Sequence, residues 1–424
     1  MHILQTYLVL FFESLNFQKK ALNRFVKYAK INSQSDGEKA DNGVFPSTPQ
    51  QKEFAKLLVE ELKTLGVEAS IKNECYVYTF IAGTGSKQNE ESICLLAHID
   101  TSDEVSGKDV NPQIFYDYDG KEITLSNKVV HSIESDQNLK LAAENKETII
   151  TTDGSTLLGA DDKAGITIIM SVLEFLKENP QIEHAPFEII FSPDEETGHG
   201  MDKVPLESIK SKMAYTLDGG HIGEFECECF NAWAAKITFT GRACHTGTAK
   251  SGKMVNASTM VSNFVARLPR DKAPETTENY QGFIAPMEIK SSIETATVEL
   301  LLRSFTIEEI EEEKEIITSI ANEVSNEFGG TVDICFKQQY LNMKEKINEN
   351  PKVIEKLEKA FELAKVEPVK TPIRGGTDGS RLTELGIPTP NIFTGGHNFH
   401  SRKEWLSLNQ MVKSAEIVFN LLSK

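Results

Sequence analysis

Phe187–Glu196 reads FEIIFSPDEE: an apolar run, FEIIFS, that stops at Pro193, Asp194, Glu195 and Glu196. Three other stretches repeat this form. SICLLA (Ser92–Ala97) runs into His98-Ile99-Asp100, AYTL (Ala214–Leu217) into Asp218-Gly219-Gly220, and PTPNIF (Pro388–Phe393) into Thr394-Gly395-Gly396 and then His397 and His400. Continuous apolar runs of this length read as strands buried on both faces, and such strands belong to a parallel sheet covered by helices. In open sheets of that kind ligands bind outside the carboxyl ends of the strands. Those ends here carry His98, Asp100, Glu195, Glu196 and Asp218.

Helices are expected between the strands. Gln51–Leu65, Ala164–Lys177, Pro351–Ala364 and Gln410–Leu422 carry apolar residues at helical spacing, so the fold class is α/β. From Phe230 to Leu341 the rhythm changes. Strand Ala234–Thr240, helix Met254–Leu268, strands Phe283–Ile289 and Thr295–Phe305, acidic helix Ile307–Phe328 and strand Thr331–Gln339 give the order βαββαβ, the ferredoxin-like split pattern. The expected organisation is an N-terminal extension (1–20), a mostly parallel-sheet catalytic domain built from 21–229 and 342–424, and an inserted ferredoxin-like domain, 230–341, serving as lid or dimerisation unit.

The 424 residues are 39% hydrophobic and 25% charged, the balance of a folded soluble chain, and the formal net charge is −18. So negative a chain repels phosphate backbones and anionic lipid, which argues against nucleic-acid and membrane-surface partners. Six cysteines are too few for a disulfide scaffold, and Cys227-x-Cys229 lacks the second pair of a structural zinc site; the cysteines read as small buried hydrophobes in a reducing compartment. Ile3–Phe12 (ILQTYLVLFF) is apolar but short, with no preceding Lys or Arg and no small-residue cleavage site. It reads as an added amphipathic helix or an extended start, with a weak signal peptide as the alternative. A cytoplasmic protein is expected.

The chemistry-bearing residues cluster at the strand ends. With a side-chain period of two, His98 and Asp100 would project to one side, so that a carboxylate could orient a metal-binding imidazole. Gly159-Ala160-Asp161-Asp162 opens a helix; an Asp there is ordinarily an N-cap worth about 1 kcal/mol, which accounts for one of the pair and leaves the other. Adjacent Glu195 and Glu196 must diverge, so one could ligate while the other handles protons. Asp218 precedes Gly219-Gly220, where a ligand can approach the backbone. Arg374 lies in the loop RGGTDG (Arg374–Gly379), suited to bidentate carboxylate recognition and lacking phosphate-loop spacing. His397 and His400 are both candidate imidazoles, and spacing does not choose between them. Together these form a nitrogen–oxygen ligand set suited to zinc, with manganese or cobalt as alternatives.

From about Ala21 onward the chain resembles the peptidase T family, tripeptide aminopeptidases of the di-zinc aminopeptidase/carboxypeptidase superfamily. The resemblance rests on AHIDTSDEVSGKDVNPQI (Ala97–Ile114), TLLGADDKAGI (Thr156–Ile166), FSPDEETGHG (Phe191–Gly200), YTLDGG (Tyr215–Gly220), HTGTAKSGKMVNA (His245–Ala257), DKAPETTENYQGF (Asp271–Phe283), PIRGGTDGSRL (Pro372–Leu382) and NIFTGGHNFHSRKE (Asn391–Glu404). It implies two zinc ions per subunit, His98 and Asp218 holding one, Glu196 and His400 the other, and Asp161 bridging. Asp100 would orient His98, and Glu195 would be the general base. His397, Asp162 and Asp194 would be supporting groups. His245 would polarise the scissile carbonyl, with Asn256 and Arg303 near the substrate, and Arg374 would grip a terminal carboxylate. A homodimer through the inserted domain is implied as possible, so that His245 could serve the neighbouring subunit.

The implied reaction is release of the N-terminal residue from a tripeptide by activated water. The alternatives are a related di-zinc dipeptidase, acylase or deacetylase, and a non-catalytic binding protein of the same fold; the last should lack a ligand or the base, and none is missing. In a purely structural reading the carboxylates would lie on a solvated face. The chain departs from the family in having Ile99 for Met, Thr246 for Pro and His199 for Arg or Gln, none of them a proposed ligand.

Overall fold

The computed structural model describes residues 15–424; the reading of Ile3–Phe12 lies outside the described residues. The chain forms two compact units. The first comprises residues up to Cys227 with Lys346–Thr371 and Thr377–Lys424, and the second comprises Glu228–Glu345 with Pro372–Gly376.

The first unit is built on an eight-stranded sheet. In spatial order its strands are Ser70–Lys72, Tyr76–Ile81, Phe187–Ser192, Ile93–His98, Ala214–Gly219, Asn391–Phe393, Glu224–Glu226 and Val369–Lys370. The four central strands, Phe187–Ser192 through Asn391–Phe393, pair in parallel, while antiparallel neighbours flank them. Every residue of Ile93–His98 and of Phe187–Ser192 is buried, as expected of strands covered on both faces. Helix Ala160–Glu178 packs on Ile93–His98 and Ala214–Gly219 and beneath helices Leu15–Ala29 and Leu408–Ser423. Its residues are apolar nearly all round because it is surrounded on nearly all sides. On the opposite face of the sheet, Tyr76, Leu96 and Ile190 pack with Met201, Val204 and Leu382.

The break expected after residue 20 falls inside the continuous helix Leu15–Ala29. Phe17 is buried there, and Arg24 joins Glu61 (3.0 Å) and Glu174 (2.7 Å) of two other helices, so residues 15–20 pack with the unit. A second sheet was not foreseen: Gly396–His397, Trp405–Ser407, Ile149–Thr151 and Gln113–Phe115, all antiparallel. Strands of two or three residues are too short to display a period.

In the second unit the sheet order is Phe283–Ser291, Thr295–Ser304, Asn231–Thr240, Thr331–Tyr340, entirely antiparallel, with helices Ala257–Arg267 and Ile307–Phe328 packed on it. Inward residues such as Ile237, Phe239, Phe264, Val298 and Ile317 form one apolar core. Pro286, which has no N–H to donate, lies on an edge strand where the register shifts. Cys335 is exposed, unlike buried Cys75 and Cys94, because alternation along its edge strand turns it away from the core. Pro372–Gly376 joins this unit rather than the catalytic domain assigned from sequence. The reason is Arg374, whose Nη1 donates to the carbonyls of Asn279 (2.8 Å) and Gln281 (2.7 Å) and whose Nη2 donates to Thr277 Oγ1 (3.0 Å). Among the described residues no helix is long and apolar enough to cross a membrane.

Candidate metal centre

The central strands end at a common edge, and their ends bring the predicted residues together. His98 closes its strand, and its amide donates to Asp162 Oδ2 (3.1 Å). The Nε2 of the His98 ring lies 2.7 Å from Asp161 Oδ1, 3.6 Å from Asp218 Oδ1 and 3.9 Å from Glu195 Oε2. On its other side Nδ1 lies 3.1 Å from the main-chain carbonyl of Asp100 and 3.4 Å from its Oδ1. Asp100 stands beyond the strand end, yet faces the imidazole as the spacing predicted. The same carboxylate accepts the amides of Glu195 and Glu196, each at 3.1 Å, and so fixes the turn that presents both glutamates.

Glu195 and Glu196 occupy a 3₁₀ turn, Glu195–Thr197, rather than an extension of the strand, and that turn is what sends them apart. Glu195 faces His98, whereas Glu196 Oε2 lies 2.8 Å from His400 Nε2. Asp194 is buried beneath them, accepting from the Ser47 amide (2.7 Å) and Gln51 Nε2 (2.6 Å) at the start of helix Pro49–Thr64.

Asp161 and Asp162, joined by a cis peptide, divide the labour that the sequence left open. Asp162 Oδ1 accepts the Gly165 amide (3.0 Å) and caps the helix. Asp161 is free of that duty, and its two oxygens face two imidazoles: Oδ1 to His98 at 2.7 Å and Oδ2 to His400 at 3.2 Å. His400, not His397, therefore joins the cluster. His397 ends a strand of the second sheet, stacked on Trp405 at a centroid distance of 4.0 Å, with Nε2 3.3 Å from Gln410 Oε1.

Apart from His400, whose side chain is 34% exposed, the cluster is buried, which rules out the solvated-face reading. Side-chain exposure is 2% for His98, 12% for Asp161 and Glu195, 8% for Asp218 and 6% for Glu196. Burial, reinforced by Asp218, holds the Glu195 carboxyl well above its ordinary range. Burial and Asp161 push Glu196 up to about 8 and Asp218 to about 6. Burial opposes protonation of His98 and His400, but the carboxylates around them override it, raising His98 well above its ordinary value and His400 to about 11. Burial also opposes ionisation of Asp161, yet His400 and His98 draw it below the usual carboxylate range. Negative charge is in excess, and Glu196 Oε1 is buried with no hydrogen-bond partner. One ligand atom each from His98, Glu195 and Asp218 lies within 4.8 Å of the others, and the same holds for His98, Asp161 and Glu196. Carboxylate and imidazole donors this crowded, with an oxygen left over, fit divalent cations.

Sequence reasoning missed three supports. Asn391 Oδ1 accepts the Asp218 amide (2.9 Å) while its Nδ2 donates to buried Glu226 (2.6 Å). Buried Lys163 donates to the Ile31 carbonyl (2.7 Å), its ammonium pushed down to about 8 by burial. Glu404 accepts backbone amides of the segment leading into Asp161. Glu404 ends the charged run SRKE, which gives no sign of burial; the apolar residues Trp405 and Leu406 that follow were the available signal. His199, a departure from the family, lies outside the cluster, with Nδ1 2.7 Å from Asp202 and Nε2 3.3 Å from Asp41.

The remaining predicted residues belong to the second unit. His245 is exposed and its Nδ1 accepts the Gly247 amide (3.1 Å). Asn256 caps helix Ala257–Arg267 through the Ser258 amide (2.9 Å). Arg303 donates to the carbonyls of Leu302 (2.9 Å) and Trp233 (3.2 Å), with its guanidinium 5.5 Å from the Tyr340 ring centre. Arg374, expected to grip a carboxylate, holds the 277–281 loop through Nη1 and Nη2 and lies over Phe230 and Phe283.

Residues 147–424 match the sequence profile of Peptidase family M20/M25/M40. The chain belongs to that family of peptidases. Within it the relatives are peptidase T proteins. Peptidase T of Clostridium perfringens is 44% identical over 406 residues, covering 95% of this chain and 98% of its own, and that of Listeria monocytogenes is 43% identical with the same coverage. Among solved structures, the aminopeptidase PepT from Bacillus cereus superposes with a TM-score of 0.74 at 23% identity, covering 96% of this chain and 98% of its own. A Bacillus subtilis protein described as a dinuclear metal-binding peptidase of the M20 family gives 0.65 at 13% identity over 96% and 98%. At these identities the structural likeness establishes the shared fold.

Proposed function

We propose that the protein is a tripeptide aminopeptidase working with two divalent cations, zinc by the nature of its donors. The observation that carries this reading is Asp161, whose two oxygens lie 2.7 and 3.2 Å from two different imidazoles. A carboxylate so placed can be shared by two cations, His98 and Asp218 holding one and Glu196 and His400 the other. Bound cations would supply Lewis-acid polarisation of the scissile carbonyl and would acidify water toward a pKa of about 7.

The chain's residues do the rest. Glu195 is farther from His98 Nε2 (3.9 Å) than Asp161 or Asp218, which suits a group that stays unligated, takes a proton from water and returns it to the departing amine. Asp100 holds the His98 ring through Nδ1 and fixes the Glu195 turn through two amides, so it sets the geometry of ligand and base together. His245 is assigned to the developing oxyanion, with Asn256 and Arg303 on the substrate. Arg374, whose Nη1 and Nη2 donate to the 277–281 loop, is assigned to the terminal carboxylate of the substrate as the resemblance implies. The tripeptide preference is supported by the peptidase T relatives; a cytoplasmic location and a homodimer through the second unit belong to the same reading.

The test is cleavage of Leu-Gly-Gly, Leu-Gly and an N-acyl amino acid, with products identified by mass and with and without chelator. Release of free leucine from the tripeptide, abolished by chelator and restored by zinc, is expected. Preferred cleavage of the dipeptide or the acyl substrate would move the enzyme to another branch of the family.

A further inference from the structure

Three backbone amides around the start of helix Ala160–Glu178 point at one buried acceptor. Glu404 Oε2 accepts from Leu158 (2.6 Å) and Gly159 (2.9 Å), and Oε1 accepts from Asp161 (3.2 Å). Gly159 has φ +76°, a left-handed conformation that glycine adopts without penalty, and this turn sets neighbouring amides toward a common acceptor. The acceptor is a side chain of the protein itself, 1% exposed, its carboxyl pushed up to about 7 by burial. Glu404 also closes the connection between strands Gly396–His397 and Trp405–Ser407, the connection that carries His400. One carboxylate thus ties the segment bearing Asp161 to the segment bearing His400, two side chains 3.2 Å apart.

We propose that Glu404 is a positioning residue for the metal centre, a latch that fixes Asp161 and His400 relative to one another before any cation arrives. This rests on the assignment of both residues as ligands. The latch needs two acceptor oxygens. A glutamine keeps the shape and supplies only one, so its amide group would turn an N–H toward the N–H of Asp161 or of Leu158 and Gly159. An aspartate keeps both oxygens and falls a methylene short.

The experiment compares wild type, E404Q and E404D for zinc retention against a chelator of known affinity, for kcat and KM on a tripeptide, and for the melting temperature of the metal-free protein. Loss of an outer partner of this kind weakens metal binding by about 10–100-fold. Both variants are expected to release zinc at least tenfold more readily and to lose kcat by a similar factor, with KM within about twofold and near-normal melting of the metal-free form. Wild-type zinc retention and kcat in E404Q would overturn the latch. A wild type that holds no zinc would instead overturn the metal-centre reading. A second measurement needs no variant: in metal-free wild type the amides of Leu158, Gly159 and Asp161 should exchange as slowly as those of the central strands, and fast exchange there would also overturn the latch.

Discussion

Glu313 in the second unit and the carboxylates at the strand ends of the first are buried alike, but under different conditions. Glu313 is the buried carboxylate of helix Ile307–Phe328, accepting from Ser304 Oγ (2.6 Å) beside an apolar core, and burial pushes it up to about 7. One proton neutralises it. Glu313 Oε2 and Glu196 Oε1 both lack a hydrogen-bond partner, so that feature does not separate the two places. What does is crowding: Asp161, Glu195, Glu196 and Asp218 surround two imidazoles, and mutual repulsion adds to burial for Glu195, Glu196 and Asp218. A lone buried carboxyl is thus a structural cost that its surroundings absorb, whereas a crowd of them marks a place that expects cations.

The largest test of that contrast is Glu195→Gln. Removing the proposed base is expected to lower kcat by about 10²–10⁴-fold while zinc content stays at the wild-type level. Near-normal turnover would strip Glu195 of its role. In the second unit the corresponding blow is to packing. Phe264→Ala should destabilise that unit by about 3–5 kcal/mol, measured by denaturant unfolding, and leave zinc content unchanged. If it emptied the metal centre instead, the division of labour between the units would be wrong.

Metal removal should act in the opposite place. At free zinc of 100–1,000 times Kd, binding adds about 3–4 kcal/mol, so stripping the metal should raise hydrogen exchange around the strand ends of the first unit and leave helix Ile307–Phe328 unaffected. The smallest effect is a pH dependence. Because Glu313 has a folded-state pKa above its unfolded one, the folded state binds more protons between pH 4.5 and about 7, and stability falls as pH rises through that window. Glu313→Gln should therefore be neutral near pH 5 and stabilising by about 1–3 kcal/mol near pH 8, read as a melting-temperature difference at the two pH values. An equal shift at both would show that packing, not ionisation, is being altered.

Much of this was legible in the sequence because long elements carry a clear period. FEIIFS is a strand with the bounds read from it, and Ile307–Phe328 is a helix with its predicted ends, the second set by a Thr306–Glu309 capping box and Gly329 at φ +74°. The strand ends were legible for a related reason: an apolar run that stops at His or Asp leaves a polar group where the sheet edge will be. What stayed hidden depends on single dihedrals and on contacts distant along the chain. His397 and His400 differ in function because a two-residue strand ends between them, and nothing in GGHNFH marks that boundary. Arg374 looked free in a glycine-rich loop because the three carbonyl-bearing residues it clasps lie more than ninety positions upstream. Asp162 and Asp161 could be sorted into cap and proposed ligand only once the helix start was fixed.

The order of the proposed ligands along the chain has a consequence for biosynthesis. Four of them, His98, Asp161, Glu196 and Asp218, precede the second unit, and His400 follows it. At about 5–20 residues per second, a ribosome releases the fifth on the order of ten seconds or more after the fourth. During that interval the nascent polypeptide displays three carboxylates and one imidazole with no closing partner. Binding by all five proposed ligands would therefore wait until the second unit and His400 have been made, and would be open to whichever cation is abundant then.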